Sequence, residues 1–385
     1  MKRQHILLLT ALSLSLALSG CGKSDSKETG NMTEETTAWE TLPAEDQLPA
    51  GETQENSEET AEENHDGMYR SEITNEWIDE SLKEQRPVAV MIDNEKIALP
   101  HYGTAQADVV YEIMNSTENS RVTRLMAIVK DYEKIEQLGS IRSTRPTNLL
   151  LAAEWNAILI HDGGPFYIDQ YVSKGYTSNL SGGFARFSNG KSAEFTEYLT
   201  YDSYSNPKTG KSFDGLKQRL EKTNFSVTYN QYYQGGHFKF SDETLDLTGR
   251  SDSINATEVK LPFPHNSSTL KYNEETGTYD YYEYGEAHKD ADTGAQLTFT
   301  NVLLQDCTFS QLDEHGYLIY NCIDSGRNGY YLTGGKAVPI KWIKSGESDM
   351  TVFLDKTTGE QIEMNTGKTY IALVPSDGWS SMEIN

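Results

Sequence analysis

Residues 88–92 read Val-Ala-Val-Met-Ile, an unbroken apolar run closed by Pro87 on one side and Asp93-Asn94 on the other. A run this short, bounded by turn formers, reads as a buried strand rather than a helix. Similar runs recur at 109–113, 125–129 and 157–160. Between them, residues 103–108 suit a short helix or turn and residues 139–143 a strand end. Pro146 suits the first helical position, with Thr144 or Arg145 near the cap and Leu149, Leu150 and Ala153 on one face. Strands alternating with short helices indicate a layered α/β domain. Residues 212–222 suit one further helix, with Leu216 and Leu220 on its face. From about residue 255 the pattern turns to β, with runs at 259–261, 278–284 and 298–304. Turn signals follow at Glu275-Thr276-Gly277, Asp292-Thr293-Gly294, Thr333-Gly334-Gly335, Thr358-Gly359 and Thr366-Gly367. The expected fold class is α+β: an N-terminal α/β layer domain over 76–235, then a β-rich C-terminal domain over 255–385.

The chain before this is of another kind. Lys2 and Arg3 precede an apolar run at 6–18 that ends Leu18-Ser19-Gly20-Cys21. That pattern is a signal peptide over 1–20 closed by a lipobox, in which the Cys21 thiol accepts diacylglycerol. It implies a lipid-anchored protein on the outer face of a bacterial cytoplasmic membrane. Residues 21–75 read as an acidic disordered tether: from 22 to 86 there are 19 Asp and Glu against 5 Lys and Arg, with few large apolar residues. Such a stretch cannot bury enough apolar area to offset its ordering entropy. Trp77 and Ile78 are expected to begin an ordered approach helix. Over the whole chain 33 basic residues face 58 acidic ones, a formal charge of −25, which argues against nucleic acid as a partner.

Two segments could carry chemistry. Arg142-Ser143-Thr144-Arg145-Pro146 lies where a strand leads into a helix, a place where backbone N–H groups and forked guanidinium donors favour anions. His161-Asp162-Gly163-Gly164-Pro165 puts an imidazole and an acid at a strand end, beside glycines that let a ligand approach the backbone. With Arg121 and Arg124 these give a candidate ligand-binding set: Arg121, Arg124, Arg142, Arg145, His161 and Asp162. The alternative is that the arginines bridge Asp108 and Glu112 while His161 bonds a carbonyl. Neither GxSxG, HExxH nor a phosphate-binding Walker loop occurs, so no catalytic residue is assigned and His161 is the one candidate acid or base. No cofactor and no metal site is expected; His288, Asp290 and Asp292 lack a full calcium-loop spacing and read as a solvated turn. Tyr279, Tyr281, Tyr282 and Tyr284 either pack across strands or offer a stacking surface for sugars or a protein partner. Cys307 and Cys322 flank a turn at 312–316, as either a disulfide or two buried thiols.

The stretches RPVAVMIDN, GTAQADVVYEI, RVTRLMAIV and GSIRSTRPTNLLLAAEWNAILIHDGG, followed by TYDYYEYGEAHKDADTGAQLTFTNVLLQ and GGKAVPIKWIKSGESDMTVFLDKTTGEQIEMNTGKTYIALVP, resemble the DUF3048 family of bacterial lipoproteins. The resemblance runs in order from about residue 86 to 376. It implies an N-terminal and a distinct C-terminal domain, exported on a lipid anchor in spore-forming and related Gram-positive bacteria, and it transfers no catalytic residue. The chain departs from the family at 115–124, which is longer than the usual Glu-Gly-Gly-Ile-Thr-Arg. It departs again at 191–198, which lacks the usual His-Asn-Leu-Tyr.

The leading reading is a non-catalytic binder of a cell-wall glycan or envelope protein, held to the membrane by the lipid on Cys21. The second is an envelope enzyme on an anionic glycan or phosphoester, with Arg142 and Arg145 clamping the anion and His161 as acid or base. The third is a structural assembly factor without a small-molecule site.

Overall fold

The computed structural model describes residues 65–385. The segments read as signal peptide and tether, up to residue 64 and including Cys21, lie outside them. The folded part begins inside the segment read as tether: strand Met68–Arg70 pairs antiparallel with Trp77–Asp79. Trp77 and Ile78 are therefore in a strand, not the expected helix. Ile73, in the turn of this hairpin, joins the apolar core, and Glu72 forms an ion pair of 2.6 Å with the buried Lys130.

The chain is a mixed α/β fold, mostly strands with few helices. Eleven strands make one sheet: β1 Val88–Asp93, β2 Val109–Met114, β3 Thr123–Val129, β4 Ile158–His161, β5 Ser178–Ser181, β6 Ile254–Asn255, β7 Asn301–Cys307, β8 Asp324–Thr333, β9 Lys336–Lys344, β10 Val352–Asp355 and β11 Thr369–Pro375. Their spatial order is β6-β9-β8-β7-β11-β2-β3-β1-β4-β5, with β10 also on β9. The join between the two halves is the parallel ladder of β2 and β11, in which Thr369 faces Val109 and Leu373 faces Ile113. The mixed N-terminal strands and the β-rich C-terminal part thus share one sheet.

Strands β1, β2, β3 and β11 are buried along their whole length because both faces of the sheet are covered. On one face Ala89, Met91, Tyr111 and Met126 pack with helix α1, Pro146–Glu154, and with Phe238, Leu318 and Tyr320. On the other, Val90, Val110 and Ala127 meet a six-stranded sheet formed mainly by 258–299 together with Glu383–Ile384. Tyr279 and Tyr281 point into that second core, whereas Tyr282 and Tyr284 are half-buried. One buried ion pair crosses the first core: Lys344 Nζ of β9 lies 3.0 Å from Glu154 Oε2 of α1.

Two local expectations are corrected, and one open alternative is decided. The helix expected over 212–222 starts only at Leu216, after a strand at Ser212–Phe213. At Gly215 a Cβ would lie 2.3 Å from the carbonyl oxygens of Tyr201 and Asp202, so the chain there is held against backbone instead of coiling. His288 and Asp290 are not in a solvated turn: both are buried, and Asp290 Oδ1 accepts the backbone N–H groups of Asp292 and Thr293. Cys307 and Cys322 are two buried free thiols. The hairpin Phe309–Gln311/Leu318–Tyr320 has the register that would set them opposite each other, and Asn321 N–H donates to Thr308 O between them.

Candidate functional site

The two segments singled out in the sequence meet at the ends of β1 and β4. The chain from Ser140 to Thr144 is extended between them: Asp93 N–H donates to Ser140 O at 2.9 Å and Arg142 N–H to Met91 O at 3.1 Å. On the other side Asp162 N–H donates to Arg142 O and Thr144 N–H to Gly163 O, both at 3.1 Å. Parallel pairing of β1 with β4 therefore brings Arg142-Ser143-Thr144-Arg145 beside His161-Asp162-Gly163. Arg124, on β3, faces Asp93 across the β1–β3 ladder.

Arg124 and Arg145 are both buried, at 8% and 7% exposure, and they converge on Ser143. Arg124 Nη1 donates to Ser143 O and, at 2.8 Å, to Ser143 Oγ. Arg145 Nη1 donates to the same hydroxyl oxygen at 3.1 Å and to Thr144 O at 2.9 Å, while Nε donates to Asn115 O at 3.3 Å. The Arg145 guanidinium lies 4.6 Å from the centre of the Tyr317 ring. Among the described residues, neither arginine forms an ion pair with a carboxylate. Of the five N–H groups each carries, the Nε and Nη2 groups of Arg124 and the Nη2 group of Arg145 have no hydrogen-bond partner there. Burial, reinforced by Arg145, pushes the Arg124 guanidinium down to about 9, and burial takes Arg145 down to about 10. Two buried cations without a direct ion pair thus share one half-exposed serine, and the charges of Asp93 and Glu95 act on Arg124 from nearby.

The other candidates are placed differently. Arg142 is neutralised: Nε lies 2.5 Å from Asp93 Oδ2 and Nη2 lies 3.1 Å from Glu194. Arg121 forks onto the two carboxylate oxygens of Asp377 at 2.7 and 2.6 Å. It lines a separate cleft of about 550 Å3 with Leu261, Pro262, Phe263, Pro264 and Asp377. Asp162 accepts from Arg186, which also pairs with Glu197. His161 is buried with both ring nitrogens occupied: Nδ1–H donates to Gly163 O at 2.8 Å and Nε2 accepts from Asn179 at 3.1 Å. Burial lowers its pKa, so the ring is held neutral. Asp108 and Glu112 bridge none of the arginines: Asp108 accepts from Lys130 N–H and Glu112 from four hydroxyls. The start of α1 is closed as well, since Pro146, Thr147 and Asn148 are buried and Thr147 Oγ1 accepts the Tyr320 N–H. The donors on offer are therefore the guanidinium groups, not the helix N-terminus.

The profile described as "Protein of unknown function (DUF3048) N-terminal domain" matches residues 73–226, and that of the DUF3048 C-terminal domain matches 259–371. The chain belongs to the DUF3048 family. It is 23% identical over 310 residues to the "Putative lipoprotein YerB" of Bacillus subtilis (strain 168), covering 80% of this chain and 86% of that protein. The crystal structure of the YerB protein from Bacillus subtilis superposes with a TM-score of 0.66 at 20% identity, over 82% of this chain and 99% of that one. The likeness shows that the two share a fold.

Within this DUF3048 protein, residues 115–124 and 191–198 border the arginine segment. Residues 115–124 carry both Asn115, whose carbonyl accepts from Arg145, and Arg124 itself. Residues 191–198 carry Glu194, the second partner of Arg142. Sequence reasoning missed Ser143 as the shared acceptor, and also Asn115 and Tyr317. Ser143 could have been found, since it stands inside the Arg-Ser-Thr-Arg run; Tyr317 comes from a hairpin remote in sequence, and no local pattern points to it.

Proposed function

We propose that this protein is an extracytoplasmic lipoprotein, anchored through lipid on Cys21, that binds an anionic group of the cell envelope without transforming it. The ligand class is the phosphodiester or carboxylate of a wall polymer, taken up by Arg124 and Arg145 around Ser143. One observation carries this reading: two buried guanidiniums converge on one serine with no carboxylate partner and with N–H donors to spare. Burying like charges together is unfavourable unless an opposite charge arrives, and an oxyanion bridging two forked donors supplies it with charge-assisted hydrogen bonds. The occupied ring nitrogens of His161 favour binding over acid–base catalysis, which needs a free nitrogen within reach of substrate.

The test uses the full chain in detergent micelles, incubated with purified wall fragments and compared with Arg124→Met and Arg145→Met variants whose fold is verified by circular dichroism. Retention that weakens with salt, disappears in either variant and releases no product supports the proposal. Released product, or retention equal in wild type and variants, overturns it.

A further inference from the structure

A second cluster of buried groups lies on the far side of Asp93, whose carboxylate pairs with Arg142 and whose carbonyl meets His101. His101 follows β1 in the loop after Asp93, Glu283 ends the strand Thr278–Glu283, and His288 comes just after the strand Glu286–Ala287. All three side chains are buried, and one potential ligand atom of each lies within 4.8 Å of the other two. The histidine ring centres are 5.0 Å apart. Glu283 and His288 are neighbours in one hairpin, but His101 comes from a distant segment and no local pattern joins it to them.

The hydrogen bonds set the protonation states. His101 Nε2 lies 2.6 Å from Asp93 O; a carbonyl only accepts, so Nε2 carries the proton and Nδ1 presents a lone pair. That Nδ1 is buried and without a partner, as is Glu283 Oε2. The other carboxylate oxygen, Oε1, is 2.7 Å from His288 Nδ1, and His288 Nε2 is 3.1 Å from Thr104 Oγ1. Asn94, beside this carboxylate, has its Oδ1 buried and unpartnered too. Three acceptor atoms are therefore buried without a hydrogen-bond partner among the described residues, where each costs the desolvation of an unmet polar group. Among the described residues no Lys or Arg forms an ion pair with Glu283.

We infer that His101, Glu283 and His288 form a buried binding site for a divalent transition metal, with zinc the ion that best suits two imidazole nitrogens and one carboxylate. Imidazole and carboxylate oxygen are ordinary zinc ligands. A ligating histidine typically donates its other N–H to a backbone carbonyl, which is what His101 does with Asp93. The site ties the loop after β1 to the hairpin of the second sheet, so the ion clamps residues of the N-terminal family segment to residues of the C-terminal one. The site adjoins the arginine cluster through Asp93, whose carbonyl meets His101 and whose carboxylate meets Arg142.

The experiment uses the full chain, stripped with chelator and then titrated with zinc chloride, with bound metal counted by mass spectrometry after gel filtration. One zinc per wild-type chain is expected, with none held by His101→Gln or Glu283→Gln, and full retention by His237→Gln, which alters a buried histidine elsewhere. Zinc should also raise the melting temperature of wild type and leave those of His101→Gln and Glu283→Gln unchanged. No zinc on the folded wild type, or equal zinc on wild type and His101→Gln, overturns the inference. If a variant does not fold, cobalt binding to wild type decides: intense visible bands of tetrahedral ligation support the site. Weak octahedral bands, as carboxylate-rich segments give, contradict it.

Discussion

The buried ion pair between Lys344 and Glu154 makes the stability of the fold accessible to one substitution. Both side chains are fully buried, and Glu154 Oε2 also accepts from Thr351 Oγ1 at 2.7 Å and Thr351 N at 3.1 Å, while Oε1 accepts from Tyr111 OH at 2.7 Å. Lys344→Met keeps much of the aliphatic volume and removes only the cation. The carboxylate keeps its three other donors but loses its compensating charge, a change that costs about 3–5 kcal/mol when one partner of a buried pair is removed. The loss must also depend on pH. Burial alone would raise the Glu154 pKa, but Lys344, His237 and the hydrogen bonds together bring it below the ordinary carboxylate range. In wild type its contribution is therefore present above the unfolded-state pKa and lost as pH falls through the depressed folded value. Without Lys344 the desolvation dominates, the folded pKa rises above the unfolded one, and the variant gains stability as pH falls toward the ordinary value of about 4.3. Urea unfolding at neutral pH and near pH 4.5 gives both numbers. The expected result is a large deficit at neutral pH that shrinks in acid, and that Lys344→Met/Glu154→Gln largely recovers. A deficit under about 1 kcal/mol, or one that does not change with pH, would refute the reasoning.

Three further outcomes follow from buried groups. Glu112 accepts from Thr123, Ser268, Tyr281 and Tyr370, and burial raises its pKa, so Glu112→Leu should lose about 3 kcal/mol or more by stranding hydroxyls. The deficit of Glu112→Gln relative to wild type should shrink as pH rises above the ordinary carboxylate range, because there wild type alone releases a proton from this site on unfolding and so loses stability; urea midpoints at two pH values check this. Burial pushes the Cys322 thiol up to about 12 and raises that of Cys307 as well, so a thiol reagent should label neither until the chain opens, with labelling that follows denaturant unfolding. Gly215→Ala should destabilise measurably in thermal unfolding, because the added Cβ would meet the backbone of Tyr201 and Asp202 at 2.3 Å.

Local pattern made the inner strands legible. Val88 to Ile92 and Leu125 to Val129 are apolar without alternation because both sheet faces are covered, and Pro146 opens α1 as its fixed φ favours. The β2–β11 ladder was not legible, since parallel pairing between remote segments leaves no local periodicity. Ser212 and Phe213 carry no signal against a helix; the close approach of Gly215 to residues 201 and 202 is a tertiary constraint. At the arginine site, the neighbouring positions of Arg142 and Arg145 in sequence showed where cations gather but not which are spent. Asp93 and Glu194 neutralise Arg142, and Asp377 takes Arg121, whose backbone has a φ of 63°. Only the folded structure distinguishes them from Arg124 and Arg145.

The most direct test of the anion site is calorimetric titration of the full chain with inorganic phosphate and pyrophosphate at low and moderate salt. The account predicts one site whose affinity falls with salt, is weakened by about tenfold or more in Arg124→Met and Arg145→Met, and is unchanged in Arg121→Met. Absence of binding by the folded wild type, or equal affinity in Arg145→Met, would contradict it.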